Sequence, residues 1–324
     1  MRGAWRGGRL LTPAFPDERL WGKGEIVDER PPSNGDSTMR LISWNVQWGR
    51  DANGTVDLAR TVDAARGLGD FDVLCAQELT RGFHALPGGP SGDQYAELAA
   101  LLPGYAVFDA IGVDLPPLEP GAPRRQFGNA LATRLPVERA LRHALPWPAS
   151  AAAPSMPRCA LEVTLRAPFG PLRVVVTHLE YYSAQQRLAQ VDALRRLHRE
   201  AAAHARASAP PETPASPFAP SARAADAIVC GDFNSAYRSD AYRRFLAPFP
   251  DAPRFVDAWL ARHPGKTPPM TAGVYDTAQW SEGPMTCDFA FVTDTLVRRL
   301  SRCEIDGTVR ASDHQPIVLE LSDA

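Results

Sequence analysis

At 324 residues, with 44% hydrophobic side chains, the chain is long enough to bury a substantial core, and its formal net charge is −2. That balance excludes a protein that coats nucleic acid through bulk positive charge, although a nuclease with charge gathered around one cleft stays open. Its five cysteines are scattered, and most have apolar neighbours, so they read as buried thiols in a reducing compartment rather than a disulfide framework.

Residues 1–38 are rich in Gly, Arg, Pro and Asp without helical or strand period, and are expected to form a disordered extension, with Met39 as a candidate true start. No continuous apolar segment follows Arg2, Arg6 and Arg9, which argues against a signal peptide. No run elsewhere approaches a membrane span, so the expected location is cytoplasmic.

From Met39 the pattern alternates. Met39–Trp44 reads as a strand, and Leu58, Ala59, Val62, Ala65 and Leu68 mark a helix within residues 54–68. Strands follow at residues 71–76, 129–133, 159–165 and 172–177; in the last, Val174, Val175 and Val176 imply burial on both faces. Residues 183–206 carry Leu188, Val191, Leu194, Leu197 and Ala201 along one face of an amphipathic helix. The Ala-, Pro- and Ser-rich stretch 207–224 is expected to be a flexible insertion within a single catalytic domain spanning 39–324. Ala227–Cys230, Phe289–Val292 and Ile317–Leu321 complete the strands.

Five of these runs end in amides, carboxylates or imidazoles: Ser43-Trp44-Asn45, Gln77-Glu78, Thr177-His178-Leu179, Gly231-Asp232-Phe233-Asn234 and, ahead of the last strand, Ser312-Asp313-His314. A sixth, Cys287-Asp288-Phe289, sets a carboxylate at a strand start. Strand termini can bring side chains together at one rim of a sheet and hold them rigidly. The pooled donors are hard oxygens and imidazoles, which suit Mg²⁺ or Mn²⁺. Singly, Asn45 would read as a strand-ending amide, Glu78 and Asp232 as solvated loop acids, and His178 as a satisfied structural histidine. As a set they point to a site.

In this order, from Met39 nearly to the end, the motifs resemble the endonuclease/exonuclease/phosphatase superfamily, the deoxyribonuclease I-like hydrolases. The resemblance implies an α/β fold, a two-sheet sandwich with helices on the outer faces. It implies a divalent-metal-dependent phosphoesterase, acting on nucleic acid or on a small-molecule or lipid phosphoester. It also implies roles: Glu78 as principal metal ligand with Asn45 and Asp313, Asp232 as base toward water, and Asn234 holding that water or a phosphoryl oxygen. His178 and His314 would donate to the phosphate, with Asp288 orienting His314. Secondary substrate-binding candidates are Asn129, Arg124, Arg125, Glu180 and Tyr181. The competing reading is a non-catalytic binding or scaffold protein that keeps the fold; such a protein is expected to have lost a ligand or the base, and none is missing here.

Overall fold

The computed structural model describes residues 38–323, except 91, 152, 208–211, 214 and 277–278. The expected N-terminal extension, apart from Thr38, lies outside the described residues, as do five positions of the Ala/Pro/Ser-rich stretch.

Two sheets of six strands each face one another. The first contains β1 (Thr38–Asn45), β2 (Val73–Arg81), β3 (Ala106–Leu115), β4 (Arg125–Thr133), β11 (Leu300–Ile305) and β12 (Ile317–Ser322), in the order β11-β12-β1-β2-β4-β3. The second contains β5 (Val137–Ala144), β6 (Cys159–Ala167), β7 (Gly170–His178), β8 (Ala227–Asp232), β9 (Phe255–Asp257) and β10 (Asp288–Thr293), in the order β5-β6-β7-β8-β10-β9. Each sheet has a parallel pair at its centre, β1 with β2 and β7 with β8, and the remaining pairings are antiparallel. This is the α/β sandwich that the motif order implied.

Strand alternation sorts the side chains into three apolar layers. Leu41, Cys75, Leu131, Leu161, Val174, Val176, Cys230 and Leu319 fill the space between the sheets. On the outer face of the first sheet, Ile42, Trp44 and Leu74 pack against α1 (Leu58–Gly67) and α2 (Gln94–Leu101) through Leu58, Val62 and Leu98. On the outer face of the second, Val175, Val229 and Phe291 pack against α3 (Ala184–Arg206) and α4 (Asp240–Leu246) through Val191, Leu194 and Phe245. A short α5 (Ala258–Arg262) contributes Ala258 and Trp259 to the inter-sheet layer. The valine triplet of β7 is indeed buried on both faces.

Local chemistry sets the element ends. α3 starts after Ser183, whose hydroxyl accepts from the Gln186 N–H. α1 begins at Leu58, the first residue of the apolar spacing: Asp51 accepts from the N–H groups of Asn53 and Thr55 in the preceding turn, and Asp57 caps the helix by accepting from Arg60 N–H. All five cysteines are buried and free. Among the described residues no helix is long and apolar enough to cross a membrane.

Candidate active site

The two parallel pairs end at the same rim of the sandwich. Asn45 is the last residue of β1, His178 the last of β7 and Asp232 the last of β8, while Glu78 lies near the end of β2. Asp288 opens β10 directly opposite Asp232, and Asp313 and His314 lie just ahead of β12, which runs antiparallel to β1. Each sheet therefore supplies part of one polar cluster.

The backbone is bent to aim these groups. The β2–β4 register slips between Gln77 and Leu79, so Glu78 sits in a bulge at φ +64°. A bulge re-aims a side chain that strict alternation would send elsewhere. Asn234 and Gln47 also hold positive φ, at +46° and +44°. Such strain gathers where function over-determines geometry. Gly231 is needed beside Asp232: its φ is +133°, and a Cβ there would stand 2.0 Å from the Thr177 carbonyl oxygen of the paired strand.

At the centre, the Asn45 amide Nδ2 donates to Glu78 Oε1 at 3.0 Å and to Asp232 Oδ2 at 3.2 Å. Its Oδ1 accepts from Gln47 N–H at 3.1 Å. Asp313 stands alongside, its Oδ2 accepting from Gln47 Nε2 (3.0 Å), Trp280 Nε1 (3.0 Å) and Gln279 Nε2 (3.1 Å). Burial and the charge of Asp313 push Glu78 up to about 7. Burial and the charge of Asp288 push Asp232 up to about 6, against the pull of His314 and of hydrogen bonds from Asn234 and Asn45. The acids are short of positive charge.

The two histidines differ. Burial, then the nearby charges of Arg158 and His314, holds His178 well below the usual imidazole value, so it is neutral. Its Nε2 takes the Asn234 Nδ2 donor at 2.9 Å and lies 3.5 Å from Asp232 Oδ2 and 3.8 Å from Glu78 Oε1. The same Asn234 nitrogen donates to the Leu179 carbonyl at 2.9 Å, which leaves the Asn234 Oδ1 as its available atom. His314 behaves oppositely. Burial pushes it down, but Asp288, Asp313 and Asp232 outweigh that and hold it well above the usual value, as an imidazolium. Its Nδ1 meets Asp288 Oδ2 at 2.9 Å, and its Nε2 faces Asp232 Oδ2 at 3.8 Å. Of the two histidines only His314 is therefore an imidazolium, because burial and the charges of Arg158 and His314 keep His178 neutral.

The secondary candidates fare unevenly. The Asn129 amide donates to the Cys159 carbonyl at 3.1 Å and ties β4 to the other sheet. Arg124 pairs with Asp114 at 2.7 Å, and Arg125 donates to the Pro116 carbonyl and lies over Phe83, so both are engaged within the β3–β4 hairpin region. Glu180 is buried, accepts from Tyr182 N–H at 2.9 Å and lies 3.5 Å from Arg158. Tyr181 is exposed, edge-on to Tyr182.

Sequence reasoning passed over Gln47, Ser312, Trp280 and Arg158. Ser312 Oγ donates to the Asn45 carbonyl at 2.7 Å and accepts from His314 N–H, locking the β1 end to the loop before β12. The sequence signal for Ser312 is its place in Ser312-Asp313-His314, and for Gln47 it is only the nearness of Asn45 two residues before. Trp280 and Arg158 had none, because each arrives from a loop without apolar period.

The donor set fits a hard divalent cation: the carboxylates of Glu78, Asp232 and Asp313 and the carboxamide of Asn45 all offer oxygen, and the raised pKa values of the first two mark a place where positive charge is wanted. Ligand atoms of Glu78, His178 and Asp232 lie within 4.8 Å of one another.

The family model described as "Endonuclease/Exonuclease/phosphatase family" matches residues 42–314, which holds Asn45 and His314 near its two ends. The chain belongs to the endonuclease/exonuclease/phosphatase family. Members of this family are in general hydrolytic phosphoesterases. No curated protein matches the chain. Among solved structures it is similar to an endonuclease/exonuclease/phosphatase from Beutenbergia cavernae, with TM-score 0.60 and 21% identity over 88% of this chain and 71% of that one. It is similar also to a mannosyl-6-phosphatase from Bacteroides thetaiotaomicron, with TM-score 0.56 and 16% identity over 88% of this chain and all of that one. The human Nocturnin catalytic domain, solved with a bound sulfate anion, gives TM-score 0.56 and 17% identity over 89% and 95%. At these identities the likeness shows a shared fold.

Proposed function

We propose that this endonuclease/exonuclease/phosphatase family member is a divalent-metal-dependent phosphoesterase whose reaction takes place at the rim where β1, β2, β7 and β8 end. The observation that carries the reading is the convergence of four carboxylates, one carboxamide and a single imidazolium at that rim, with both sheets contributing.

Glu78 would be the principal ligand of Mg²⁺ or Mn²⁺, helped by Asn45 and Asp313. Three N–H donors already occupy Asp313 Oδ2, so its Oδ1 or a water faces the cation. The cation, when bound, neutralises phosphoryl charge that would otherwise repel an anionic nucleophile.

The chain's own groups do the rest. Asp232 Oδ2 takes a proton from water as the water oxygen bonds to phosphorus; the bond to the leaving oxygen breaks, and that oxygen takes up a proton from solvent. A carboxylate held near 6 is matched to proton transfer around neutral pH. Asn234, its backbone N–H bonded to Asp232 Oδ1 at 2.8 Å, orients the base and offers Oδ1 to the attacking water. His314, kept charged by Asp288, donates where negative charge builds on the phosphoryl oxygens. A mannosyl-6-phosphatase and a sulfate-bound protein among the structural neighbours support a site for a tetrahedral oxyanion here.

The test is hydrolysis of p-nitrophenyl phosphate and bis-p-nitrophenyl phosphate, followed by nucleic-acid and lipid phosphoesters, with Mg²⁺ or Mn²⁺ and then EDTA. Turnover that needs metal and is lost in Asp232→Asn is expected. Absence of metal-dependent turnover across these substrates would favour the scaffold reading instead.

A further inference from the structure

Arg158 stands immediately before β6 with only 7% of its surface exposed. A guanidinium carries five N–H donors and does not neutralise itself by losing a proton. Burying one without partners is costly, and this chain shows how that cost is normally met. Arg173, equally hidden, donates through Nε and Nη2 to both oxygens of Glu162, at 2.9 and 3.1 Å. Arg158 has no such arrangement. Its Nε and Nη1 are buried without a hydrogen bond, and its carboxylate neighbour, Glu180 Oε2, lies 3.5 Å from Nε and is itself without a hydrogen bond.

The surroundings say what is missing. Arg158 lines a small cleft with Phe127, Asn129, Met156, Cys159 and His178. His178 is the wall shared with the reaction centre: its Nε2 is within 4 Å of both Glu78 and Asp232. Its other ring nitrogen, Nδ1, is buried with no hydrogen-bond partner. With Nε2 accepting from Asn234, the neutral ring carries its proton on Nδ1. Two orphaned donors, one cationic and one neutral, thus line one recess at the edge of the acid cluster. Asn129 does not fill the need: its Nδ2 donates to the Cys159 carbonyl, and neither orphaned donor reaches its Oδ1. Burial pulls the Arg158 guanidinium down from its usual value, and Glu180 first, then Glu78 and Asp232, act against that, so the acid cluster's charge reaches it.

Building on the phosphoesterase reading, we propose that Arg158, steered by Glu180, grips a non-bridging oxygen of the substrate phosphoryl group and biases the site toward phosphomonoesters. A diester offers two non-bridging oxygens and one negative charge; a monoester dianion offers three and nearly two charges. His314 and the cation account for two oxygens. A further fixed cation has an oxygen to hold only in the monoester, and it adds charge where the monoester is richer. Arginine suits this duty because its planar fork matches phosphate oxygens.

The experiment uses the full chain and the variants Arg158→Gln, Arg158→Lys and Glu180→Gln, with thermal midpoints measured first. Two quantities are then read: the ratio of kcat/KM on p-nitrophenyl phosphate to that on bis-p-nitrophenyl phosphate, and orthophosphate affinity by titration calorimetry, with EDTA and with Mg²⁺. In Arg158→Gln the ratio should fall at least tenfold, mainly through a raised KM for the monoester, and orthophosphate should bind at least tenfold more weakly under both conditions. Arg158→Lys should recover part of each, and Glu180→Gln should lose an intermediate amount. If Arg158→Gln does not fold, the latter two variants decide on the same readouts. Equal losses on both esters with unchanged orthophosphate affinity would overturn the proposal and leave Arg158 a buttress of the acid cluster. A wild-type chain that hydrolyses neither ester yet binds orthophosphate through Arg158 would sink the enzyme reading and the monoester preference while upholding the anion grip.

Discussion

Replacing Asp288 by Asn isolates the contribution of one charge. The side chain keeps its shape and an oxygen able to accept from His314 Nδ1, now 2.9 Å from Asp288 Oδ2, but it no longer carries the charge that heads the forces keeping His314 an imidazolium. Two unit charges at that separation attract by roughly 6 kcal/mol at an effective dielectric near 20, and most of this is offset by having withdrawn both from water. What survives in a charge-assisted hydrogen bond is about 1.5–3 kcal/mol. If that interaction is fully used when the phosphoryl oxygens are most negative, kcat should fall by about 10- to 150-fold. The fold should not suffer equally, because Asp288 also repels buried Asp232, and removing its charge relieves that repulsion. The assay is steady-state hydrolysis at saturating Mg²⁺ beside a thermal melt. A loss under about threefold, or one matched by a lowered melting temperature, would refute the assignment of His314 as the donor that Asp288 sustains.

Glu78→Gln should raise the Mg²⁺ concentration needed for half-maximal thermal stabilisation at least about tenfold, since even groups behind metal ligands are worth that much; an unshifted titration would remove Glu78 from the cation site. Glu162→Gln tests the buried ion pair with Arg173. Burial pushes Glu162 up, but His143 and Arg173 prevail and bring it down to about 2. Its folded value lies below its unfolded one, so its contribution is present above about pH 4.5 and fades as pH falls toward 2. The variant strands Arg173, should cost about 3–5 kcal/mol near neutrality, and should show a flatter acid limb of melting temperature against pH; an unchanged limb would count against it. Gly231→Ala forces a Cβ to within 2.0 Å of the Thr177 carbonyl and should strip soluble expression or lower the melting temperature steeply; a variant as stable as the parent would show that β7 and β8 can part locally.

Much of the candidate site was legible because it lies where the sequence pattern changes. Asn45, His178 and Asp232 end runs that must be strands, and a polar residue at such a boundary stands out against its apolar neighbours. The strands that escaped notice are β3, β5, β9 and β11, the four sheet edges: β9 is only three residues long, and the others carry many partly exposed residues where burial does not impose a clean apolar run. The bulge that turns Glu78 inward has no local signature, as its reason lies in the β4 register across from it. Trp280 and Arg158 come from irregular connections, so their arrival at the rim is a product of tertiary packing alone. The charge states of the histidines were equally hidden. Nothing in Thr177-His178-Leu179 foretells that an amide from after β8 will occupy the ring nitrogen.

The 3.2 Å bond from Asn45 to Asp232 spans the gap between the two sheets. Alignment of the candidate site is therefore hostage to shear: a slip of β1 relative to β8 by a fraction of one residue would part the amide from the carboxylate. Substitutions among Leu161, Val176 and Leu319, deep in the intervening layer, should register at the rim as mis-set chemistry before they register as unfolding. A ligand that bridges Glu78 and Asp232 would work as a rivet between the layers.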